Sequence, residues 1–270
     1  MDTLTLAQFA VLAAASVLVG FSKTSINGAN TISLAIFAAV LPARASTGVL
    51  LPLLIAGDVL AVYVYRRHAH WPTLLRLFPA VAVGLVAGTL FLKYAGDGAV
   101  RVSIGAILLV MVGVTLRQRQ RQRQRAGASG DHGAGEAGEA EEGGPDGRRA
   151  RKTARAQAGA YGVLGGFTTM VANAAGPVMS LYLLSSGMRK LGFLGTSAWF
   201  FLIVNVTKVP FSVGLGLIDG PSLLLDAVLV LFVLPGAWLG RRCVDRIDQR
   251  LFERIVLAAT VLGGLQLLLL

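Results

Sequence analysis

The chain has 270 residues, of which 54% are hydrophobic and 14% charged, with a mean hydropathy of +0.67. Those proportions exclude an ordinary water-soluble domain and indicate a membrane protein. The net charge of +11 suits a nucleic-acid binder only if the basic residues form one contiguous face, whereas here they lie between apolar runs. Nucleic acid is therefore excluded as a partner.

Apolar runs recur at 4–21, 30–41, 45–65, 72–92 and 99–116, and again at 158–172, 176–187, 192–213, 221–240 and 250–270. A helix crossing the hydrocarbon core needs about 20 residues, and most of these runs supply that. The runs 30–41 and 176–187 are too short to span and are expected to be half-helices of re-entrant hairpins. Met1-Asp2-Thr3 places no basic residue before the first run, so a cleaved signal peptide is not expected. The single cysteine, Cys243, excludes an internal disulfide framework and any CxxC motif.

Residues 117–157 hold sixteen of the 39 charges and eight glycines, in the pattern RQRQRQRQR, a Gly/Ala/Glu stretch and RRARKTAR. Such a segment buries no core and is expected to be a disordered linker. It divides the chain into a first transmembrane repeat at 1–116 and a second at 158–270. Gly20-Phe21-Ser22 aligns with Gly166-Phe167-Thr168, Asn27 with Asn173, Gly48 with Gly195, Asp58 with Asn205, and Gly84 and Gly88 with Gly236 and Gly240. The spacings Gly84-xxx-Gly88 and Gly236-xxx-Gly240 are helix-packing devices.

Arg66-Arg67, the linker, Arg189-Lys190 and the stretch from Arg241 to Arg250 carry eighteen of the 25 basic residues, against three in the alternate loops. By the positive-inside rule the first group is cytoplasmic, and it also attracts anionic lipid headgroups. The linker and the 189–190 loop then share a face, so 158–187 enters and leaves on one side, and 4–41 does the same on the other. The expected fold is an all-α polytopic membrane protein of two inverted repeats, each a broken hairpin plus three spanning helices, with about eight spans in all.

Chemistry concentrates at the hairpin tips. Between Gly20 and Thr31 an apolar helix gives way to Ser22, Lys23, Thr24, Ser25, Asn27, Asn30 and Thr31; the counterpart holds Thr168, Thr169, Asn173 and Gly176-Pro177. Broken backbone at membrane depth survives only where protein or a water-filled cavity satisfies it. Short helices starting there, capped by Asn30 or Asn173, aim free N–H groups inward and suit an anion. Lys23 either adds a full positive charge to that site or snorkels to the interface with the hydroxyls bonding local carbonyls.

Asp58, Asn205 and Lys208 lie within spans, where ionisable groups mark ion pathways or buried pairs. Asp58 is either a proton-coupling carboxylate, the counter-ion of Lys23 or Lys208, or a group that reaches water near its helix end. Lys208 is either a ligand or another snorkelling lysine, and Asp226 is placed at the interface. His68 and His70 have no acidic or cysteine partners, so no metal site is expected. The chain has no phosphate-binding GxxxxGK[ST] loop and no nucleophile motif. No cofactor and no enzymatic activity are expected.

At the Gly20 to Asn30 break, the Leu51-Pro52-Leu53-Leu54-Ile55-Ala56-Gly57-Asp58 stretch, the Gly84/Gly88 helix, the Gly165-Gly166 break, Gly195-Thr196 and Asn205-x-x-Lys208, the sequence resembles the TauE/SafE family of sulfite exporters and anion permeases. The resemblance implies a bacterial-type inner-membrane secondary transporter for sulfite, sulfoacetate or related sulfur anions. It departs from that pattern in the Ser-Lys-Thr-Ser run and in the long linker. An anion channel and a non-transporting membrane scaffold are the other classes compatible with the residues, and oligomeric state is left open.

Overall fold

The computed structural model describes residues 5–25, 30–41, 43–96, 145–173, 175–218 and 220–246, with isolated positions at 98–99, 248, 251, 254 and 258. Eight α-helices account for nearly all of them: α1 Leu6–Thr24, α2 Asn30–Val40, α3 Ala43–Tyr65, α4 Trp71–Tyr94, α5 Pro145–Ala172, α6 Ala175–Ser185, α7 Lys190–Gly214 and α8 Gly220–Asp245. No strand occurs among the described residues. A 3-10 turn, Arg66–His68, links α3 to α4. Residues 100–144 lie outside the described residues, as does nearly all of the 250–270 run. One expectation is corrected here. Helix α5 begins at Pro145, so residues 145–157 are helical where disorder is expected; Pro145 suits a first helical position because its missing N–H has no partner there.

Five helices, α1, α3, α4, α7 and α8, are long and apolar enough to cross a membrane. The two short runs form helices of eleven residues each, α2 and α6, which rise only about 16 Å at 1.5 Å per residue. Thr5 opens α1 with a capping box, its hydroxyl accepting from the Gln8 amide at 3.3 Å while the Gln8 side chain accepts from the Thr5 amide at 2.9 Å. At the other end the Tyr65 hydroxyl donates to the Thr24 carbonyl at 2.8 Å. That bond satisfies one of the carbonyls a helix C-terminus leaves unpaired and ties the end of α1 to the end of α3.

Glycines set the helix pairing. A Cβ on Gly20 would overlap the Val233 carbonyl oxygen, one on Gly236 the Val17 carbonyl, and one on Gly240 would strike Phe21 and Thr24, so α1 and α8 run parallel in backbone contact. Thr24 adds a hydroxyl bond to the Ala237 carbonyl at 2.8 Å. Helices α4 and α5 pair in the same manner, with Gly84 against Val163 and Phe167, and Gly166 against Val81 and Leu85. Without side chains at the seam the backbones approach closely, which raises dispersion contact where lipid supplies no hydrophobic drive.

More than half of the apolar stretch of α3 and of α7 is buried, against a third for α4 and α8. Helices α3 and α7 are therefore central, and the exposed Leu75, Val83, Leu224 and Leu231 of α4 and α8 face outward. At one end of the bundle the basic segments converge. Gly195 abuts the backbone at Tyr65 and His68, the His70 amide donates to Thr196 at 2.9 Å, and Lys190 Nζ donates to the Val244 carbonyl at 2.9 Å.

Candidate functional site

The two central helices carry their polar residues on facing surfaces. On α7, Phe201, Asn205 and Lys208 follow one another at helical spacing, and all three are buried. Asp58 occupies the corresponding stretch of α3 and is fully buried. Asn205 Nδ2 donates to Asp58 Oδ2 at 2.7 Å. Lys23, in the last turn of α1, places Nζ 2.7 Å from Asp58 Oδ1 and 4.3 Å from the centre of the Phe201 ring, a cation-π contact.

On the other side of Asn205, Lys208 Nζ donates to Asn205 Oδ1 at 3.3 Å, to Thr169 Oγ1 at 3.3 Å and to Asn173 Oδ1. Asn173 in turn donates through Nδ2 to the Thr47 carbonyl at 3.0 Å. One polar chain thus runs from Lys23 through Asp58, Asn205 and Lys208 to Thr169 and Asn173. It joins α1, α3, α5 and α7 at the point where both hairpins turn.

A small cavity opens on this chain, lined by Lys23, Asn30, Leu54, Thr169, Asn173, Gly176, Phe201 and Asn205. It has room for about one water molecule, and its side chains are almost wholly inaccessible. The first turns of both short helices reach its wall, through Asn30 of α2 and Gly176 of α6. The Asn30 amide oxygen is buried without a hydrogen-bond partner, so that side chain has unspent capacity beside the cavity.

These positions settle several alternatives. Neither lysine snorkels, since Lys23 is 6% and Lys208 1% exposed. Asp58 does not reach water and is the counter-ion of Lys23. Asp226 is also buried, at 2% exposure, so it faces neighbouring helices.

The hydroxyls divide differently from the expectation. Helix α1 continues through Thr24, so the chain is not broken at Ser22. Thr24 bonds the carbonyls of Gly20 and Ala237, Ser25 that of Phe21 at 2.6 Å, and Thr168 that of Leu164 at 2.8 Å. None of these three lines the cavity, nor does the buried Ser22. Of the hydroxyls with described side chains, Thr169 alone reaches the cavity wall.

Asn173 does not open α6, which begins at Ala175; it closes α5 instead, its backbone N–H donating to the Thr169 carbonyl at 3.0 Å. Its backbone is left-handed, φ 53°, a conformation asparagine tolerates better than most residues, and this turns its amide toward Lys208. Asn30 is the first residue of α2 rather than its cap. Asn27 lies outside the described residues, and Thr31 is the second residue of α2 with its side chain likewise outside them. Leu54 and Phe201 were not among the expected site residues. The signal for both was helical spacing: each stands four residues before its polar neighbour, Asp58 or Asn205.

With all three groups ionised, the cluster sets two buried lysines against one carboxylate, an excess of one positive charge. No group of three or more His, Cys, Asp or Glu residues suited to a metal occurs among the described residues.

No curated protein and no solved structure matches the chain. The family model for sulfite exporter TauE/SafE matches residues 12–267, nearly the whole length. Together with the five long apolar helices among the described residues, this identifies a multi-pass membrane protein of the sulfite exporter TauE/SafE family.

Proposed function

We propose that the protein is a secondary transporter that exports small anions, with sulfite or a sulfur-containing organic anion such as sulfoacetate as substrate. The observation that carries this reading is the excess buried lysine. A charge taken out of water without a partner costs several kcal/mol, and an anion in the cavity between Lys23 and Lys208 would supply one. The donors at the cavity wall are Lys23, Asn30, Thr169, Asn173 and Asn205. Lys208 acts on the anion through the three oxygens it holds. A pyramidal or tetrahedral oxyanion offers acceptors in several directions and fits such a divergent donor set.

The cavity is too small for sulfite as it stands, so the conformation is a closed one between loading states. A closed cavity supports a carrier that rocks open rather than a channel. Two inverted halves are the usual basis of such rocking. Their support here is the recurrence of the same contacts at the same spacing. Gly20 meets Val233 as Gly166 meets Val81, Gly236 meets Val17 as Gly84 meets Val163, and Gly48 meets Leu217 as Gly195 meets Tyr65. Asp58 and Asn205 are counterparts in the sequence and touch each other, as residues beside a two-fold axis do.

Asp58 is the coupling candidate, because protonating it releases Lys23 to an incoming anion. The convergence of the 66–68, 190 and 244 segments at one end supports a cytoplasmic face there and an inner-membrane location, with the linker on the same side. The test is sulfite flux into proteoliposomes. Flux lost on Lys23→Ala and altered on Asp58→Asn agrees with this function; flux unchanged by both removes the two residues from it.

A further inference from the structure

The transported anion leaves one buried charge-bearing group unused. The inward face of α8 is a stripe of buried residues at alternating spacings of four and three: Ser222, Asp226, Leu229, Val233, Gly236 and Gly240. Leu224, Val228, Leu231 and Trp238, away from the stripe, are exposed, so the stripe is the seam that packs on α1 and α3. Asp226 sits in that seam at 2% exposure, and neither of its carboxylate oxygens has a hydrogen-bond partner. A bare carboxylate in such a place costs far more than a neutral acid.

Among the described residues no ion pair to Asp226 occurs. In the described parts of α1 and α3 the charged and titratable residues are Lys23, Arg44, Asp58, Tyr63 and Tyr65. Lys23 and Asp58 pair with each other, Tyr63 is exposed, and Tyr65 bonds the Thr24 carbonyl at the far end. Arg44 stands in the first turn of α3, beyond Gly48, whose neighbour Leu217 precedes α8. On α8 itself Arg241, Arg242, Cys243 and Asp245 are four turns or more away, at the opposite end.

The helix face that carries Asp226 reaches the anion site. Val233, seven residues on and so on the same face, has Cγ1 3.7 Å from where a Cβ on Gly57 would stand, and Gly57 precedes Asp58. The rise from Asp226 to Val233 is about 10 Å. Beyond Val233 the seam continues as the glycine contact of α8 with α1, where Gly236 and Gly240 bring the backbones together.

We propose that Asp226 is a proton-binding site in addition to Asp58, neutral in this conformation, and that it carries a second proton the transport cycle requires. This rests on the transporter reading above and adds a residue to its coupling. When α8 shifts against α1 and water enters the seam, the Asp226 O–H bond breaks, its proton passes to water and the electron pair stays on the carboxylate. Return of the seam to its closed form requires a proton to be taken up again. Protons are thereby exchanged once per cycle at a site separate from the anion.

Infrared difference spectroscopy of the purified protein tests the site, and sulfite movement in proteoliposomes tests its use. The variants are Asp226→Asn and Asp226→Leu. The leucine form removes an unpaired buried polar group while keeping the same branched shape, so it is expected to melt no lower than the parent. The expected result is a neutral carboxylic-acid carbonyl band that both substitutions abolish. Both variants also lose sulfite accumulation driven by a pH gradient, while sulfite counterflow persists. A carbonyl band unaffected by either substitution overturns the proposal, and so does gradient-driven accumulation equal to the parent's. If the parent moves no sulfite in any mode, the transporter reading falls, and the infrared band still decides whether Asp226 holds a proton.

Discussion

Asn205 donates a 2.7 Å hydrogen bond to Asp58 from 147 positions away in the chain, at the contact of the two central helices. The same carboxylate holds Lys23 with its other oxygen, and the same asparagine accepts from Lys208. One amide therefore separates two buried ammonium groups that would otherwise share one counter-ion. Its two ends, donor and acceptor, suit one lysine–aspartate pair on one side and a bare lysine on the other. Aspartate at 205 would pair both lysines and leave no charge for an anion.

Removing one partner of the Lys23–Asp58 pair strands a buried charge. Asp58→Leu is expected to destabilise the purified protein by about 3–5 kcal/mol. The double variant Lys23→Met/Asp58→Leu recovers most of that loss, since an apolar pair of similar volume replaces two desolvated charges. Thermal unfolding in detergent measures both. A double variant as unstable as the single would mean that the pair is not the source of the cost.

Anion binding should raise the melting temperature of the parent in proportion to occupancy. Lys208→Met is expected to abolish the rise with sulfite. It also leaves Thr169, Asn173 and Asn205 without their shared donor, so the variant's own melting temperature falls. The readout is the increment caused by sulfite in each protein, which separates lost binding from lost stability.

The glycine seams make a sharper packing prediction. Gly20→Ala and Gly84→Ala each push a methyl group into a neighbouring carbonyl and should cost about 1–3 kcal/mol by overpacking. Gly159→Ala, on α5 with open space around it, should be neutral or stabilising by up to about 1 kcal/mol. Equal effects at all three positions would contradict the close approach of α1 to α8 and of α4 to α5.

Cys243, half-buried near the end of α8, reports orientation. An impermeant thiol reagent should label it in inverted membrane vesicles and not in intact cells. Labelling from the outside would turn the proposed topology over.

Much of this was legible in the sequence because hydrophobic length and charge are additive along the chain. The runs 30–41 and 176–187 were short in the sequence and are short as helices. Lys23, Asp58, Asn205 and Lys208 stood out because an ionisable or amide side chain in an apolar run needs a partner, and they partner one another. The hydroxyls were not legible. Serine and threonine in a helix bond either the carbonyl four residues back or something across the site, and the choice depends on neighbours that sequence spacing does not reveal. Thr24 and Ser25 took local carbonyls, whereas Thr169 faces Lys208. The burial of Asp226 was not legible for a related reason: its place early in an apolar run indicates depth along α8, whereas the burial comes from the face it occupies in the packing of α8 on α1 and α3.

The most direct measurement is saturable sulfite flux in proteoliposomes for the parent, for Lys208→Met and for Lys23→Met/Asp58→Asn, the last carrying neither member of the ion pair. Lys23 lines the cavity and Lys208 holds three of its wall residues, and charge-assisted contacts of this kind are worth roughly 1.5–3 kcal/mol. Both variants should therefore show sulfite flux at least about tenfold below the parent's at low sulfite. Flux equal to the parent's in both, from protein shown to be folded, would contradict an anion site built on the two buried lysines.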